Sequence, residues 1–434
     1  MFLNTTVILI AMAAAFVLSG IFLKSTEISM VIAGVVGMAF GVAHGWQSFA
    51  DAGRILVEGL FTNLDLALLF VTASLFVNVY ALGGALAAVT RKLVSRFDSK
   101  WALLSFMAVF MLIPGAITGA GSVSVFVMGA LVSTVVGYMG LSPKKTAAFV
   151  FIFAILSAAA PPINLWTMMM TAQANMPYVG FTWLLLIPIV IVGAFTIAFL
   201  GWGSKRESKE KILSELPEAP EGMNWVRIAL PPLVLVLLLV ASLVIPFRVP
   251  VMGMPLIFVL STVVVMLVSP RKTSFKEYYG VMNRTMEQVF PLLATVLSVG
   301  VMQNVMAAVG VKGLIGITFV TLPMVWIYAA ILLVAPFSQA CMSYGSAIVI
   351  ATPLIFMFNT AGFNTTVVAA ALSLMFPIGD CLPPSRIVGR ITIETVGYQG
   401  SYTSFLAQVL VPCLLLGALA LVMMMMPGRF AFLI

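Results

Sequence analysis

The sequence predicts an all-α protein that crosses a membrane many times and consists of two similar units inserted in opposite orientations. Three observations lead to this fold class: the composition, the spacing of charged residues, and a repeat of proline positions. Hydrophobic residues make up 62% of the 434 residues and charged residues only 8%, whereas an average soluble domain has about 25% charged residues. No single soluble core could bury so much apolar surface. The composition therefore excludes soluble globular, disordered and disulfide-rich proteins.

The charged residues are separated by long uncharged segments. No Asp, Glu, Lys or Arg occurs in residues 101–143, 146–204 or 313–379. About 20 apolar residues span a bilayer as a helix, so each of the two longer segments must hold more than one apolar helix. The net charge of +8 is then explained by basic loops on the cytoplasmic side of a membrane, and nucleic acid is not expected as a partner.

A shift of 222 residues brings the second half of the chain into register with the first. It places Pro383-Pro384 on Pro161-Pro162 and Ser346 on Ser124, and the apolar segments follow in the same order. Such self-similarity is typical of an internal duplication. The predicted division is a first inverted repeat at 1–204, a cytoplasmic linker at 205–224 and a second inverted repeat at 225–434.

Each unit is predicted to contain the same elements in the same order. Two spanning helices come first, followed by an amphipathic stretch suited to the membrane surface, a third span, a hairpin, a broken helix and a last span. The predicted spans lie near 5–23, 28–44, 66–86 and 181–200, and near 227–245, 250–266, 288–308 and 403–422. The amphipathic stretches are 46–62 and 273–289.

The hairpins are predicted at about 101–138 and about 322–358. Their apolar arms, about 12–17 residues long, are short for full spans and flank polar tips, which favours a re-entrant hairpin. A re-entrant tip is tolerated only where it is buried in protein or lines a cavity. The broken helices are predicted at about 146–175 and about 364–395, because a Pro-Pro pair removes backbone donors and interrupts each helix.

Counting crossings predicts the orientation of the two units. Five crossings and a hairpin that returns to its own side give an odd number, so the second unit must be inverted relative to the first. If the 87–100 loop is cytoplasmic, all but four of the 22 basic residues fall on the cytoplasmic side, in agreement with the positive-inside rule. The four exceptions are Arg54, Arg248, Lys312 and Arg429. Both termini are then predicted to lie outside.

The hairpin tips and helix breaks are the predicted binding site. Interrupted helices offer free N–H groups to anions and free carbonyl groups to cations, and small hydroxyl side chains could complete an oxygen shell, for which sodium is the natural ion. The predicted cation-binding residues are Thr118, Gly119, Ser122, Ser124, Pro161, Ser338, Ser343, Ser346, Gly379 and Asp380. The alternative is that the small residues only permit close helix packing.

Asp380 is the most specific of these candidates because it ends the longest uncharged segment. An ionisable residue at membrane depth indicates function by default, so we expect Asp380 to ligate a cation or to carry a proton. The alternative is a structural ion pair with Arg386 or Arg390.

Arg386 is the candidate contact for a substrate carboxylate, which a guanidinium can bind through two hydrogen bonds. The alternative is that Arg386 only sets topology at the cytoplasmic end. The predicted substrate-binding residues are Asn164, Gln339, Tyr344, Ser385 and Arg386. Asn164 occupies the position of Arg386 under the 222-residue shift, so the two halves of the site are not expected to be equivalent.

Other classes of function find little support in the sequence. There is one His, there are three Cys, and neither a CxxC nor a GxxxxGK[ST] motif occurs, which argues against zinc, haem and a P-loop ATPase. We expect no enzymatic activity, no cofactor and no metal beyond sodium as the coupling ion. A channel and an intramembrane enzyme are remote alternatives.

The hairpin tip and the two Pro-Pro pairs resemble those of one transporter family. The residues Pro114–Ser122, Gly137-Tyr138, Pro161-Pro162 and Pro383-Pro384 are similar to the large membrane subunit (DctM-like) of tripartite ATP-independent periplasmic (TRAP) transporters, in the ion transporter superfamily. The resemblance implies a sodium-coupled importer of organic anions such as dicarboxylates, working by an elevator mechanism with a scaffold and a transport domain. It also implies the bacterial inner membrane, a small membrane subunit and a periplasmic solute-binding protein as partners, besides the lipid bilayer.

Two departures from that family leave a second interpretation open. The chain reads Val123-Ser124-Val125 where the family tends to carry an acid, and Asp380-Cys381 where the family tends to be apolar or glycine. The alternative is a stand-alone sodium- or proton-coupled carboxylate symporter of the same superfamily.

Overall fold

The computed structural model describes residues 2–244, 253–270, 273–383 and 386–434, and these residues form helices and connecting turns without a β-strand. Nine helices among them are long and apolar enough to cross a membrane. This confirms the predicted class of an all-α polytopic membrane protein.

The first half of the chain contains twelve helices. They are α1 (Phe2–Leu23), α2 (Thr26–Ala43), α3 (Phe49–Phe61), α4 (Leu64–Leu82), α5 (Ala85–Arg96), α6 (Lys100–Thr118), α7 (Gly121–Ser124), α8 (Ala130–Tyr138), α9 (Pro143–Ala159), α10 (Leu165–Gln173), α11 (Phe181–Gly201) and α12 (Lys209–Glu215). A π-helical turn, Val125–Gly129, joins α7 to α8.

The second half repeats the order. Its helices are α13 (Trp225–Val244), α14 (Met254–Val268), α15 (Phe275–Ala308), α16 (Val311–Thr321), α17 (Met324–Met342), α18 (Thr352–Thr360), α19 (Thr365–Met375), α20 (Ile387–Val396), α21 (Tyr402–Met425) and α22 (Pro427–Phe430). A π-helical turn at Ala347–Ala351 precedes α18, and a 3₁₀ segment at Phe376–Cys381 follows α19. The two π-helical turns lie 222 residues apart, and so do α8 and α18.

Hydrogen bonds at one end of α11 show that the first hairpin returns to the side from which it starts. The Lys100 ammonium, where α6 begins, donates to the Gly201 carbonyl (2.9 Å). The Lys145 ammonium, near the start of α9, donates to the Leu200 carbonyl (3.2 Å). Both open ends of the α6–α8 hairpin therefore lie at the same face of the molecule, which we call the Lys100 end. Since α11 is 21 residues long, about 31 Å, Gly180 lies at the opposite face, the Gly180 end.

The second unit enters from the opposite face. Ile434 packs against Gly180, and α19 packs against α22, which follows α21. Therefore α19 begins at the Gly180 end, whereas α9 begins at the Lys100 end. At the Lys100 end Val396, at the end of α20, lines the same pocket as Tyr138. The predicted inverted repeat is present.

The hairpin arms are longer than predicted. Helix α6 has 19 residues, and Gly121–Tyr138 forms a second helical arm of 18 residues, against the predicted 12–17. The reason is that the polar tip is almost entirely helical: only Gly119, with φ +72°, and the extended Ala120 interrupt it. The predicted arm lengths were too short, because short polar side chains such as those of Ser122 and Ser124 can be accommodated in a buried helix.

Two further elements differ from the prediction. The stretch 273–289 does not form a separate surface helix, because it is the first half of the continuous 34-residue α15. A helix of that length measures about 51 Å and exceeds the ~30 Å hydrocarbon core, so one end must extend beyond it. The 87–100 segment, predicted as a loop, is largely the helix α5, which begins after the left-handed Gly84.

Small residues allow α3 and α15 to cross closely. A Cβ atom at Gly59 would lie 2.6 Å from the Val301 Cα, and a Cβ atom at Gly300 would overlap the Gly59 carbonyl oxygen. Helices α1–α4 pack with α13–α15, whereas the two hairpins pack mainly with the broken helices α9–α10 and α19–α20 and with α11 and α21. The broken elements are thus collected in one part of the molecule.

Candidate ion- and solute-binding site

The tips of both hairpins meet at the breaks of the two interrupted helices. The Tyr344 hydroxyl, on the second tip, donates to the Gly119 carbonyl on the first (3.3 Å). The Tyr344 ring also lies against the Trp166 ring of α10, with centroids 4.8 Å apart. Because the hairpins enter from opposite ends, this contact lies in the interior of the molecule.

A chain of hydrogen bonds leads from α10 to Asp380. The Trp166 Nε1–H donates to the Gln339 Oε1 (2.8 Å), and the Gln339 amide nitrogen donates to the Asp380 Oδ1 (2.9 Å). The Ser346 hydroxyl also donates to the Gln339 Oε1 (3.0 Å). An indole N–H can only donate, so it fixes the orientation of the amide and directs the amide donor to the carboxylate.

Glycine at position 379 brings Asp380 next to α17. A Cβ atom at Gly379 would overlap the Pro336 carbonyl oxygen and lie 2.8 Å from the Gln339 Cβ. Only a residue without a side chain permits this approach of the 3₁₀ segment to the helix. The close packing places the neighbouring Asp380 within reach of the Gln339 amide.

Asp380 is a buried acid without a counter-ion in the described part of the chain. Its residue surface is 7% exposed, and no Lys, Arg or His nitrogen of the described residues lies within 4.0 Å of its carboxylate. The alternative of a structural ion pair with Arg386 or Arg390 is therefore wrong for this conformation. Gln339 is its one side-chain hydrogen-bond partner among these residues, so one carboxylate oxygen is left for another ligand.

Arg386 begins α20 beside the site, with a left-handed backbone (φ +51°). Its guanidinium lies over the Tyr402 ring, 4.8 Å from the centroid, and the Tyr402 hydroxyl donates to the Cys381 carbonyl (2.8 Å). The Arg386 Nε is buried and has no hydrogen-bond partner among the described residues. A planar donor in that state suits an anionic ligand. The predicted residue Ser385 and the second proline of that pair, Pro384, lie outside the described residues.

Asn164 holds the first broken helix together. Its amide nitrogen donates to the Ala159 carbonyl (2.9 Å) and to the Ser373 hydroxyl (3.1 Å), while its Oδ1 accepts from the Thr167 N–H (3.0 Å). The residue is fully buried. It thus caps α10, binds the end of α9 and contacts the second unit, and it presents no free face to a substrate in this conformation.

The remaining predicted residues fall into two groups. The first group forms the connected centre described above and consists of Gly119, Gln339, Tyr344, Ser346, Gly379 and Asp380. At the first tip, the Thr118 hydroxyl donates to the Pro114 carbonyl (2.8 Å) and Ser124 shares a hydrogen bond with Ser157 (2.9 Å). Ser122 and Ser343 are buried at the two tips, and the Ser338 hydroxyl donates to its own helix. Pro161 is half-buried at the break and takes no part in the Gln339 network.

Sequence reasoning missed Trp166, Ser157, Ser373 and Tyr402. The signal for Trp166 was its position two residues after the predicted Asn164, at a helix break. The partners of Ser157 and Ser373 depend on which helices pack together, and the local sequence contains no sign of that. Tyr402 opens the last span and gave no signal of its contact with Arg386.

The two halves of the site are chemically different. Under the 222-residue shift, Gln339 corresponds to Ile117 and Asp380 corresponds to Ala158. The first break therefore offers hydroxyl groups and backbone atoms, whereas the second offers a carboxylate and an oriented amide. The two breaks are therefore not chemically equivalent, as the sequence predicts.

Inverted repeats with paired hairpins, paired broken helices and a buried acid define the fold of a membrane transporter. A family model described as the Na+/H+ antiporter family matches residues 1–203 of this chain. The fold is similar to the crystal structure of the YdaH transporter of Alcanivorax borkumensis, whose description reports an unusual topology, with 16% sequence identity, a TM-score of 0.58, and coverage of 89% of this chain and 91% of that one. No curated protein sequence shows significant similarity.

The structural match agrees with the predicted fold. The narrower resemblance to a TRAP membrane subunit stays a prediction. At 16% identity, the structural match establishes the fold. The substrate must be inferred from the chemistry of the site.

Proposed function

We propose that this protein is a cation-coupled secondary transporter of a carboxylate-bearing solute. The observation that carries the proposal is Asp380, an acid at a helix break that is 7% exposed and has no counter-ion in the described chain. A buried carboxylate is costly unless it is paired, ligates a cation or takes up a proton. A coupling ion is the group that would complete this site.

Sodium fits the oxygen atoms that surround the acid. Hard cations take carboxylate and backbone carbonyl oxygens as ligands, and carbonyl groups of the 3₁₀ segment that contains Asp380 are the proposed further ligands. Binding of a single positive charge neutralises Asp380, which lowers the cost of moving the site through the membrane.

Arg386 is the proposed contact for the solute. Its buried, unpartnered Nε and its position on the Tyr402 ring hold the guanidinium in one orientation, which favours a planar carboxylate. Arg386 and Asp380 both belong to the second broken helix. The cation and the solute would therefore bind on the same half of the site, and this proximity would couple them.

The packing supports an elevator mechanism. The hairpins, the broken helices, α11 and α21 would move as the transport domain, and α1–α4 with α13–α15 would form the scaffold. We place the Lys100 end in the cytoplasm of a bacterial inner membrane because the basic residues are concentrated there.

The test is uptake of radiolabelled C4-dicarboxylates and related carboxylates into proteoliposomes under an inward sodium gradient. We expect uptake that collapses when sodium is replaced by choline while the pH gradient is clamped. Uptake that survives in choline but collapses with a protonophore would assign proton coupling. Equal uptake without either gradient would overturn the proposal. Adding a candidate periplasmic binding protein and small subunit tests the TRAP arrangement, which predicts uptake only with both present.

Sodium–proton exchange is the second candidate, and it is favoured by the family match of residues 1–203. The same proteoliposomes, loaded with a pH-sensitive dye and given sodium without any organic solute, distinguish the two. Alkalinisation of the lumen on the addition of external sodium, as Na+ enters and H+ leaves, with no carboxylate uptake, would support exchange. Carboxylate uptake with no solute-free proton flux would support the symporter.

A further inference from the structure

A cleft of about 640 Å³ lies between the α1–α2 pair and the second broken helix. Its walls include Gly20, Lys24 and Ser29 from α1–α2, and Cys341, Ile387 and Arg390 from α17 and α20. The cleft therefore separates the proposed scaffold from the proposed transport domain.

The cleft opens at the Lys100 end. Arg390 of its lining lies on α20, whose last residue, Val396, lines a pocket with Tyr138 at the Lys100 end. Inside, the cleft approaches the site: Cys341 lies two residues beyond Gln339 on α17, and Ile387 follows Arg386. A solute in the cleft would thus be near both the carboxylate ligand network and the proposed anion contact.

The charged side chains of the cleft differ in whether they already have partners within the protein. Lys24 and Arg390 are exposed and form no ion pair within 4.0 Å among the described residues. The one acid of the lining, Glu27, is engaged: its carboxylate accepts from the Ser25 hydroxyl (2.9 Å) and from the Thr295 hydroxyl of α15 (3.1 Å). Two cationic side chains without an ion-pair partner among the described residues therefore face the cavity. Both carboxylate oxygens of its one acid, Glu27, already accept hydrogen bonds.

We infer that this cleft is an anion-selective vestibule through which a small carboxylate reaches the site from the Lys100 end. Lys24 and Arg390 outnumber Glu27 and leave the lining with a net positive charge, which concentrates anions because the low-dielectric walls of a cleft focus the electric field. The identity of the solute rests on the proposed function, whereas the charge selectivity of the cleft is a separate property of its lining.

The three cysteines provide the probe. Cys341 is partly exposed in the cleft, and Cys381 and Cys413 are buried, so they are internal controls in the unmodified chain. Membrane vesicles of both orientations are treated with a sulfonatoethyl or a trimethylammonium-ethyl methanethiosulfonate. Each reagent forms a mixed disulfide with the thiolate and releases methanesulfinate. Labelled peptides are identified by mass spectrometry, and each rate is divided by the rate of that reagent with free mercaptoethanol.

We expect Cys341 to be labelled from the Lys100 end, with the anionic reagent favoured roughly tenfold at low salt. The ratio of the two reagents removes any effect of the thiol's own reactivity. It should fall to about one in Lys24→Gln/Arg390→Gln and upon addition of 1 M salt, which shortens the Debye length to about 3 Å. The matched control Lys312→Gln/Arg429→Gln, with charges predicted on the other side, should retain the ratio.

Four outcomes would each overturn the inference. The first two are equal rates for the two reagents and labelling from the Gly180 end. The other two are labelling of Cys381 or Cys413 in preference to Cys341 and a ratio unaffected by Lys24→Gln/Arg390→Gln. The labelling needs no transport. Charge-selective labelling without uptake would reject the proposed function alone, and normal uptake without charge selectivity would reject the vestibule alone.

Discussion

Gln339 decides the chemistry of the site at the scale of single residues. Its carbonyl oxygen accepts from Trp166 and Ser346, which leaves the amide nitrogen to donate to Asp380. Three segments of the chain are thereby joined at one side chain. The free oxygen of Asp380 is consequently held in a defined position, and a defined position is what a cation site requires.

Replacement of Asp380 by Asn should weaken sodium binding without unfolding the protein. The amide has the shape of the carboxylate but carries no charge, so we expect the half-saturating sodium concentration to rise at least tenfold, about 1.4 kcal/mol. Thermal unfolding in detergent should be unchanged or shifted upwards, because a buried charge is removed. The matched control is Asp65→Asn, an exposed acid on α4, which should transport normally. Sodium dependence equal to that of the parent protein would exclude Asp380 from the cation site.

The residue-level predictions from sequence succeeded where a residue was exceptional in its own surroundings. Asp380 stood out because it ends the uncharged segment 313–379, and Gln339 stood out as an amide in the polar tip of the second hairpin. Trp166 did not stand out, because its hydrogen-bond partner is 173 residues away in the chain. A contact of that kind depends on tertiary packing, which a single sequence does not specify.

At the scale of elements, the first hairpin depends on small residues where it lies against α9. A Cβ atom at Gly115 would overlap the Ser157 hydroxyl and lie 2.8 Å from the Ser124 Oγ, and a Cβ atom at Gly121 would lie 2.7 Å from the Ala154 carbonyl oxygen. The hairpin tip and α9 therefore approach to backbone contact, as membrane helices do at small residues.

Gly115→Ala should displace the tip from α9 and destabilise the protein by about 1–3 kcal/mol, the usual cost of overpacking. Gly137→Ala on the same hairpin is the matched control, because its Cβ would meet no atom within 4 Å, and alanine is favoured over glycine within a helix by about 0.5–1 kcal/mol. Thermal unfolding in detergent compares the two. Equal melting temperatures for both variants would contradict the close packing of the tip.

Element boundaries were predictable where proline, glycine and apolar periodicity mark them locally. In the region of the second broken helix, expected at about 364–395, α19 begins at Thr365 and α20 ends at Val396. The continuity of α15 was not predictable, because Pro291 and the polar first half indicate an interruption. Its packing against α2, α3 and α4 stabilises one continuous helix instead.

At the scale of the whole molecule, the second hairpin tip contacts α15 of the proposed scaffold. A Cβ atom at Gly345 would lie 2.8 Å from the Val299 Cγ2. If the two domains slide past each other, this contact must break in each transport cycle.

A Val299→Cys/Gly345→Cys pair should form a disulfide that stops transport. The Cβ atom at position 345 and the side chain at position 299 are close enough for that bond, and the valine methyl groups that would obstruct the new side chain are removed. We expect sodium-driven uptake to fall at least tenfold on oxidation and to return with reductant. The single variants, treated with the same oxidant, are the controls for the native cysteines. Full uptake by the cross-linked protein would rule out a sliding movement at this contact.

The orientation of the chain can be measured directly. An alkaline phosphatase fusion at Ile434 should be active and a green fluorescent protein fusion there should be dark, because both termini are predicted to lie outside. Fusions after Lys209, in the linker that is bound to the Lys100 end through Glu207 and Tyr138, should give the reverse pattern. The same pattern at both positions would contradict the proposed topology.

The bond between Trp166 and Gln339 also constrains the synthesis of the protein. Translation adds roughly 5–20 residues per second, so the 173 residues between the two take roughly 10–35 s. During that interval Trp166 is already in or near the bilayer, but Gln339, the hydrogen-bond acceptor of its indole N–H, has not yet been translated. The insertion machinery, lipid headgroups or water must occupy that donor first, and the second half of the protein must then displace them.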